Sequence, residues 1–87
     1  MEEKEIVENF GKKMFEKIEL RHNRYVPFAW KTMDVKRLII LLYGELAELG
    51  EANQAKDLEH VSQEAVDIAN YAMFIHELAL RDKISIA

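Results

Sequence analysis

Eighty-seven residues are enough for one domain, here 1–87, and the formal net charge of −4 comes from interspersed acids and bases. That charge pattern argues against a protein that binds nucleic acid polymers through a basic face. The absence of cysteine excludes disulfides and thiolate metal sites. The acidic opening and the lack of a long apolar run predict a cytoplasmic protein that does not enter a membrane.

Three segments predict an all-α fold. Apolar residues recur at helical spacing over residues 3–22. Asp34 is a good N-cap for a second helix that ends near Ala55, and Asp57 is a good N-cap for a third helix over about 58–80. We therefore expect an antiparallel helical hairpin plus an N-terminal helix.

Residues 23–33 predict a connection, because Pro27 disfavours helix at the residue before it. The connection combines three aromatic side chains with two cations: Tyr25, Phe28, Trp30, Arg24 and Lys31. One interpretation is a loop whose aromatic rings close the end of the core. The other is a surface on which a nucleotide base stacks while cations such as Lys31 bind phosphate.

Apolar residues form a core stripe on the second helix and cover more of the third helix than one small subunit can bury. In the second helix the expected core stripe is Val35, Leu38, Ile39, Leu42, Leu46 and Leu49. The third helix carries no charge from Ile68 to Ile75, so we expect it to be buried all round. A second subunit would complete the helical bundle, and four residues are expected to meet it: Val66, Met73, Phe74 and Leu80.

Two pairs of carboxylates are the strongest chemical signal. Glu45 and Glu48 in the second helix, and Glu64 and Asp67 in the third, are each spaced i, i+3, which places each pair on one side of its helix. Packed antiparallel, the two helices could aim all four at one small volume, where the carboxylates would repel one another. A hard cation such as Mg²⁺ would relieve that repulsion. The alternative is a pair of solvated helix edges, since acidic pairs at this spacing are common.

The two pairs read E-x-x-E, fifteen further residues, then E-x-x-D. This arrangement resembles the signature of the MazG-like, all-α nucleoside triphosphate pyrophosphohydrolases. Phe28-Ala29-Trp30 and the segment that follows Asp67 resemble the short phage and archaeal members, whereas Gly44 stands where the family usually has a further acid. The resemblance implies that Mg²⁺, with Mn²⁺ able to substitute, is bound by Glu45, Glu48, Glu64 and Asp67.

The same resemblance implies an enzyme that forms homodimers or homotetramers and cleaves an NTP or dNTP between the α- and β-phosphates. The products are the nucleoside monophosphate and pyrophosphate, and Asn70 falls near the nucleotide. In that chemistry Glu48 would accept a proton from the attacking water, while Trp30 and Lys31 would contact the substrate. The alternative from a different class is a non-catalytic helical oligomerisation or interaction module, which explains the apolar third helix equally well.

Overall fold

The computed structural model describes residues 1–24 and 30–86, with the side chains of 1–20 and 30–84. The elements are α1 (Glu3–Arg24), a short 3₁₀ helix (Trp30–Thr32), α2 (Val35–Gln54) and α3 (Leu58–Ile86). No strand occurs in the described ranges, so the all-α prediction is confirmed. The predictions for Tyr25 and Phe28 lie outside the described residues.

Local chemistry sets the two ends of α2. The side chain of Asp34 accepts a hydrogen bond from the Arg37 N–H at 2.7 Å, as expected of an N-cap. Beyond the other end, Lys56 adopts a left-handed φ of 58°, which turns the chain back. Asp57 then accepts a hydrogen bond from the His60 N–H at 3.1 Å and caps α3. A turn this short folds α3 back along α2 as an antiparallel hairpin.

α3 continues to Ile86, beyond the predicted end near Leu80. The charges that follow Leu80 suggested a stop, but charged residues are compatible with a solvent-facing final turn. Neither glycine nor proline follows Leu80 in the sequence to end the helix. Arg81 donates to the backbone carbonyl of Lys31 at 2.7 Å, which ties the last turns of α3 to the 3₁₀ helix.

The core lies where the start of α2 meets the second half of α3. Leu38 is fully buried among Tyr71, Phe74 and Leu78. The Phe74 ring stacks on Trp30, with centroids 4.6 Å apart and planes 12° apart, and Tyr71 meets Phe74 edge-on at 6.2 Å. The indole therefore closes one end of the core, in agreement with the first interpretation of the aromatic connection.

Two of the four residues expected at a subunit interface are buried within the chain itself. Val66 and Phe74 are each 4% exposed, which leaves them no surface to offer a partner. α1 lies beside Val66 and Trp30 covers Phe74, a placement that helical periodicity alone does not reveal. The prediction is wrong for these two residues, whereas Met73 and Leu80 stay exposed.

The predicted core stripe of α2 is too wide. Leu38 is buried and Leu42 and Leu49 are partly buried, whereas Ile39 and Leu46 remain 39% and 45% exposed. α2 packs mainly against α3, so a single narrow side of the helix is covered. The other apolar side of α2 faces outward.

α1 rests on α3 through its second half. Ile18 contacts the core cluster, Lys17 donates to Asp67, and the Met14 carbonyl accepts from a side chain of α3. In its first half Val7 is well exposed. Within the described ranges, no helix is both long enough and apolar enough to cross a membrane.

Candidate metal centre

Three carboxylates converge between α2 and α3. Glu45 and Glu48 lie about one turn apart on α2, and Glu64 lies opposite them on α3. One carboxylate oxygen from each residue lies within 4.8 Å of the other two. The i, i+3 spacing on α2 and the short hairpin turn produce this convergence. The structure thus brings together three of the four predicted metal ligands, which we call the carboxylate cluster.

Glu64 is the most buried member of the carboxylate cluster, with 6% of its surface exposed. His60 lies one turn earlier on α3 with its Nε2 atom 3.1 Å from Glu64 Oε1, so an N–H at Nε2 donates to that oxygen. The other oxygen, Oε2, is buried without a donor among the described residues. Because a buried carboxylate oxygen without a partner is costly, a proton or a cation on the cluster side would stabilise it.

Burial is the largest cause that raises the pKa of Glu45, from 4.5 to about 7. The next cause is a hydrogen bond between Glu45 and Glu64, which forms only while one of the two carboxyl groups carries a proton; when both are ionised, Glu64 Oε2 has no donor among the described residues. The negative charges of Glu48, Glu64 and Asp67 act in the same direction. Glu45 therefore binds a proton more tightly than a solvated glutamate does, and a bound cation would take the place of that proton.

Asp67, predicted as the fourth ligand, is bonded to a lysine. Its Oδ2 accepts a hydrogen bond from Lys17 Nζ at 3.1 Å, and the same ammonium donates to the Gln63 carbonyl at 3.2 Å. The charge of Asp67 is close enough to raise the pKa of Glu45, yet its oxygens lie outside the group of three. The structure thus shows a trio with Asp67 beside it and paired to a cation from α1, and the role of Asp67 as a fourth ligand stays a prediction.

Asn70, predicted near the nucleotide, is almost fully buried against α1. Its Nδ2 donates to the Met14 carbonyl at 3.1 Å, and its Oδ1 has no donor within the part of the chain that is described. Lys17, Asp67 and Asn70 border a cavity of about 10 Å³, which is room for about one water molecule. In this arrangement Asn70 ties α3 to α1 through its amide nitrogen.

Trp30 and Lys31, predicted to contact substrate, lie away from the carboxylate cluster. Phe74, on which Trp30 stacks, follows Glu64 by ten residues, or about 15 Å along α3. Lys31 Nζ lies 5.8 Å from the centroid of the Trp30 ring, and the lysine is exposed. The two side chains form an aromatic–cation pair at the end of the core. At that distance the pair is placed for contact with a base or sugar and not with a phosphate held at the cluster.

Lys17 and His60, which contact the predicted acids, are not among the predicted site residues. Lys17 lies 50 positions before Asp67 and is one of several lysines on α1, so no local pattern distinguishes it. His60 does carry a signal, because it precedes Glu64 by four residues, a spacing at which helical side chains meet.

A relative of this chain among the curated proteins is an uncharacterized protein of the archaeon Archaeoglobus fulgidus. The two sequences are 32% identical over 72 residues, which cover 80% of this chain and 77% of the relative. No family model matches the chain. No solved structure matches it either.

Proposed function

This chain belongs to the same family as the Archaeoglobus fulgidus protein, and from its carboxylate cluster we propose that it is a magnesium-dependent nucleoside triphosphate pyrophosphohydrolase. The enzyme hydrolyses an NTP or dNTP between the α- and β-phosphates to the monophosphate and pyrophosphate. Because the relative is uncharacterized, the support comes from the cluster and from the resemblance of its motif spacing to the MazG-like enzymes.

The observation that carries the proposal is the environment of Glu64. A solvated helix edge would leave this carboxylate exposed, but it is 6% exposed and one of its oxygens lacks a donor among the described residues. It also faces two further acids, Glu45 and Glu48. A buried acid beside two further acids is unfavourable for folding alone, and a bound cation would reverse that balance.

The donor set fits Mg²⁺. Magnesium is a hard cation that takes oxygen ligands and is usually held by one or two carboxylates together with waters and substrate phosphates. Glu45, Glu48 and Glu64 offer carboxylate oxygens, and no thiolate exists in the sequence. Mn²⁺ accepts the same donors and is expected to substitute.

When bound, Mg²⁺ would neutralise the phosphate oxygens and lower the pKa of a water molecule. The acids of the chain divide the remaining tasks by their exposure. Glu45 and Glu64, which are the less exposed, would hold the cation together with Glu48, and the exposed Glu48 would also accept the proton of the attacking water. Lys17 pairs with Asp67 beside the cluster and offsets part of the negative charge that this acid would otherwise add.

The remaining assignments follow from the same proposal. Trp30 and Lys31 contact the nucleoside end of the substrate, and Asn70 holds α3 in place beside Asp67. The protein acts in the cytoplasm as a homodimer or homotetramer. The exposed apolar side chains of the helices support self-association.

A screen of canonical and damaged nucleoside triphosphates with and without Mg²⁺ tests the proposal. The products should be the monophosphate and pyrophosphate, with no orthophosphate released directly from the substrate. Glu64→Gln should lower turnover by orders of magnitude, because it removes a charge that holds the cation while preserving volume. Glu59→Gln, which changes an exposed acid on the same helix, should retain turnover.

The same screen separates the enzyme from a non-catalytic helical interaction module. If no nucleotide is hydrolysed and Mg²⁺ does not raise the thermal midpoint, the carboxylate cluster has a structural role and the proposal fails. If orthophosphate is the first product, the cation-dependent chemistry stands but the cleaved bond is a different one.

A further inference from the structure

The outward side of α2 is an apolar surface that the chain itself leaves exposed. Its side chains are 39–66% exposed and lie on the side of the helix away from α3: Ile39, Ile40, Tyr43 and Leu46. The buried residues of α2, Leu38 and Ala52, lie on a different side of the helix. We call these four residues the outer face of α2. Contiguous exposed apolar surface of this kind marks an interaction site.

The chain as a whole exposes more surface than a compact monomer of its size. A folded monomer of 10.2 kDa exposes about 5,300 Å², whereas this chain exposes 6834 Å². The excess, about 1,500 Å², exceeds the roughly 800 Å² that each partner buries in a stable protein interface. Burial of this excess against a second molecule would bring the exposed area to the level of an ordinary folded protein.

Gly50 continues the outer face of α2 one turn beyond Leu46. A Cβ atom at this position would meet nothing within 4 Å, so the packing of the chain does not require glycine there. Gly44 and Gly11 have the same open surroundings, so what distinguishes Gly50 is its place on the outer face, where the lack of a side chain lets another backbone approach closely. The neighbouring Ala47 also has a small side chain, so this part of the helix surface projects little into the solvent.

Charges of opposite sign lie at the two ends of the outer face. Lys36 and Arg37 lie at its N-terminal end, and Glu51 lies at its C-terminal end. Lys36 and Glu51 make no ion pair within the described residues. Two copies of α2 packed parallel would bring like charges together, whereas antiparallel packing brings Lys36 of each copy towards Glu51 of the other.

We infer that the outer face of α2 binds the same face of a second copy of this chain, with the two helices antiparallel. A twofold axis between Tyr43 and Leu46 places Gly50 of each copy opposite Ile39 of the other, a small residue against a large one. The same axis sets Tyr43 against Leu46. The proposal uses no residue of the carboxylate cluster, so it stands or falls independently of the enzymatic activity.

Sedimentation analysis of the full chain over a range of concentrations tests the interface. The wild type should be a dimer or an even multimer at micromolar concentration. Tyr43→Glu places a charge in the middle of the outer face and should raise the dissociation constant at least about 30-fold. Val7→Glu on α1 is the matched control, because Val7 and Tyr43 are similarly exposed at 69% and 66%, and it should leave assembly unchanged.

Charge exchange tests the orientation. Lys36→Glu and Glu51→Lys should each weaken the dimer several-fold, and the double variant should restore the wild-type affinity because each new pair is again of opposite sign. Circular dichroism confirms that each variant keeps its helices, and Ile39→Glu serves as a second variant if Tyr43→Glu does not fold. A monomeric wild type at high micromolar concentration, dissociation by Val7→Glu but not by Tyr43→Glu, or no rescue in the double variant would overturn the inference.

Discussion

At the scale of single residues, Glu45 shows how position decides protonation. Burial raises its pKa to about 7, and acidic neighbours add to this effect. A group with a raised pKa binds a proton more tightly in the folded chain than in the unfolded one. The stability of the protein without divalent cations is therefore linked to the pH.

The free energy of unfolding in EDTA should fall as the pH rises from 4.5 to about 7. Unfolded Glu45 ionises at the lower value and folded Glu45 at the higher one, so folding takes up a proton in this window and is favoured at its acidic end. Glu45→Gln should flatten this part of the profile, as measured by chemical unfolding at several pH values. Glu59→Gln should keep the wild-type slope; equal slopes in wild type and Glu45→Gln would assign the linkage to another group.

The neutral variants of Glu64 and Asp67 should affect stability in opposite directions. Glu64→Gln removes repulsion within the carboxylate cluster, so the thermal midpoint in EDTA should stay level or rise. Asp67→Asn instead removes the partly buried partner of Lys17 and should cost about 1 kcal/mol. Lys17→Met provides the matching half of the pair. If Asp67→Asn stabilised the protein and Lys17→Met left it unchanged, the ion pair would be absent in solution.

The sequence favoured the convergence of Glu45, Glu48 and Glu64, because i, i+3 spacing places each pair on one side of its helix, but it left a pair of solvated helix edges as the alternative. It was not sufficient for Asp67, since the cation that pairs with it comes from α1, 50 positions away. Asp67 lies on α3 between the side that faces α2 and the side that faces α1, and it pairs with a side chain of α1. Single-helix periodicity carries no information about that element.

At the scale of the elements, the caps were predictable and the extent of burial was not. Asp34 and Asp57 accept hydrogen bonds from the N–H groups of residues three positions ahead, so the local sequence is enough to predict their role as caps. The burial of Phe74 depends on Trp30, and the exposure of Ile39 depends on where α1 does not lie. Those outcomes depend on long-range packing.

The turn between α2 and α3 is the element where a substitution should stabilise the protein. The backbone of Lys56 lies in the left-handed region with φ of 58°, which costs roughly 1 kcal/mol for a residue other than glycine. Lys56→Gly should therefore raise the free energy of unfolding by up to about that amount, while Lys56→Ala keeps the strain and should not. Urea unfolding of the three proteins makes the comparison. Equal gains from both variants would trace the effect to the loss of the lysine charge.

At the scale of the whole molecule, the two proposals concern opposite sides of α2. Its inner side turns Glu45 towards α3 and builds the carboxylate cluster, and its outer side is the exposed apolar face. A short chain that buries a cluster of acids loses stability at that site and has little apolar core to offset the loss. Self-association through the outer face would supply the missing apolar burial, and cation binding would stabilise the inner side.

Linkage between folding and self-association gives the last prediction, a thermal midpoint that rises with protein concentration. When the folded state associates and the unfolded state does not, mass action shifts the equilibrium towards the folded dimer as concentration increases.

Calorimetry of the wild type over a wide range of concentrations in EDTA should show the shift, and Val7→Glu should show it too. Tyr43→Glu should unfold at a lower midpoint that does not depend on concentration, because its folded state is monomeric. Adding Mg²⁺ should raise the midpoint of all three proteins, since the carboxylate cluster lies within one chain. If Tyr43→Glu kept the wild-type concentration dependence, a different surface would be responsible for assembly.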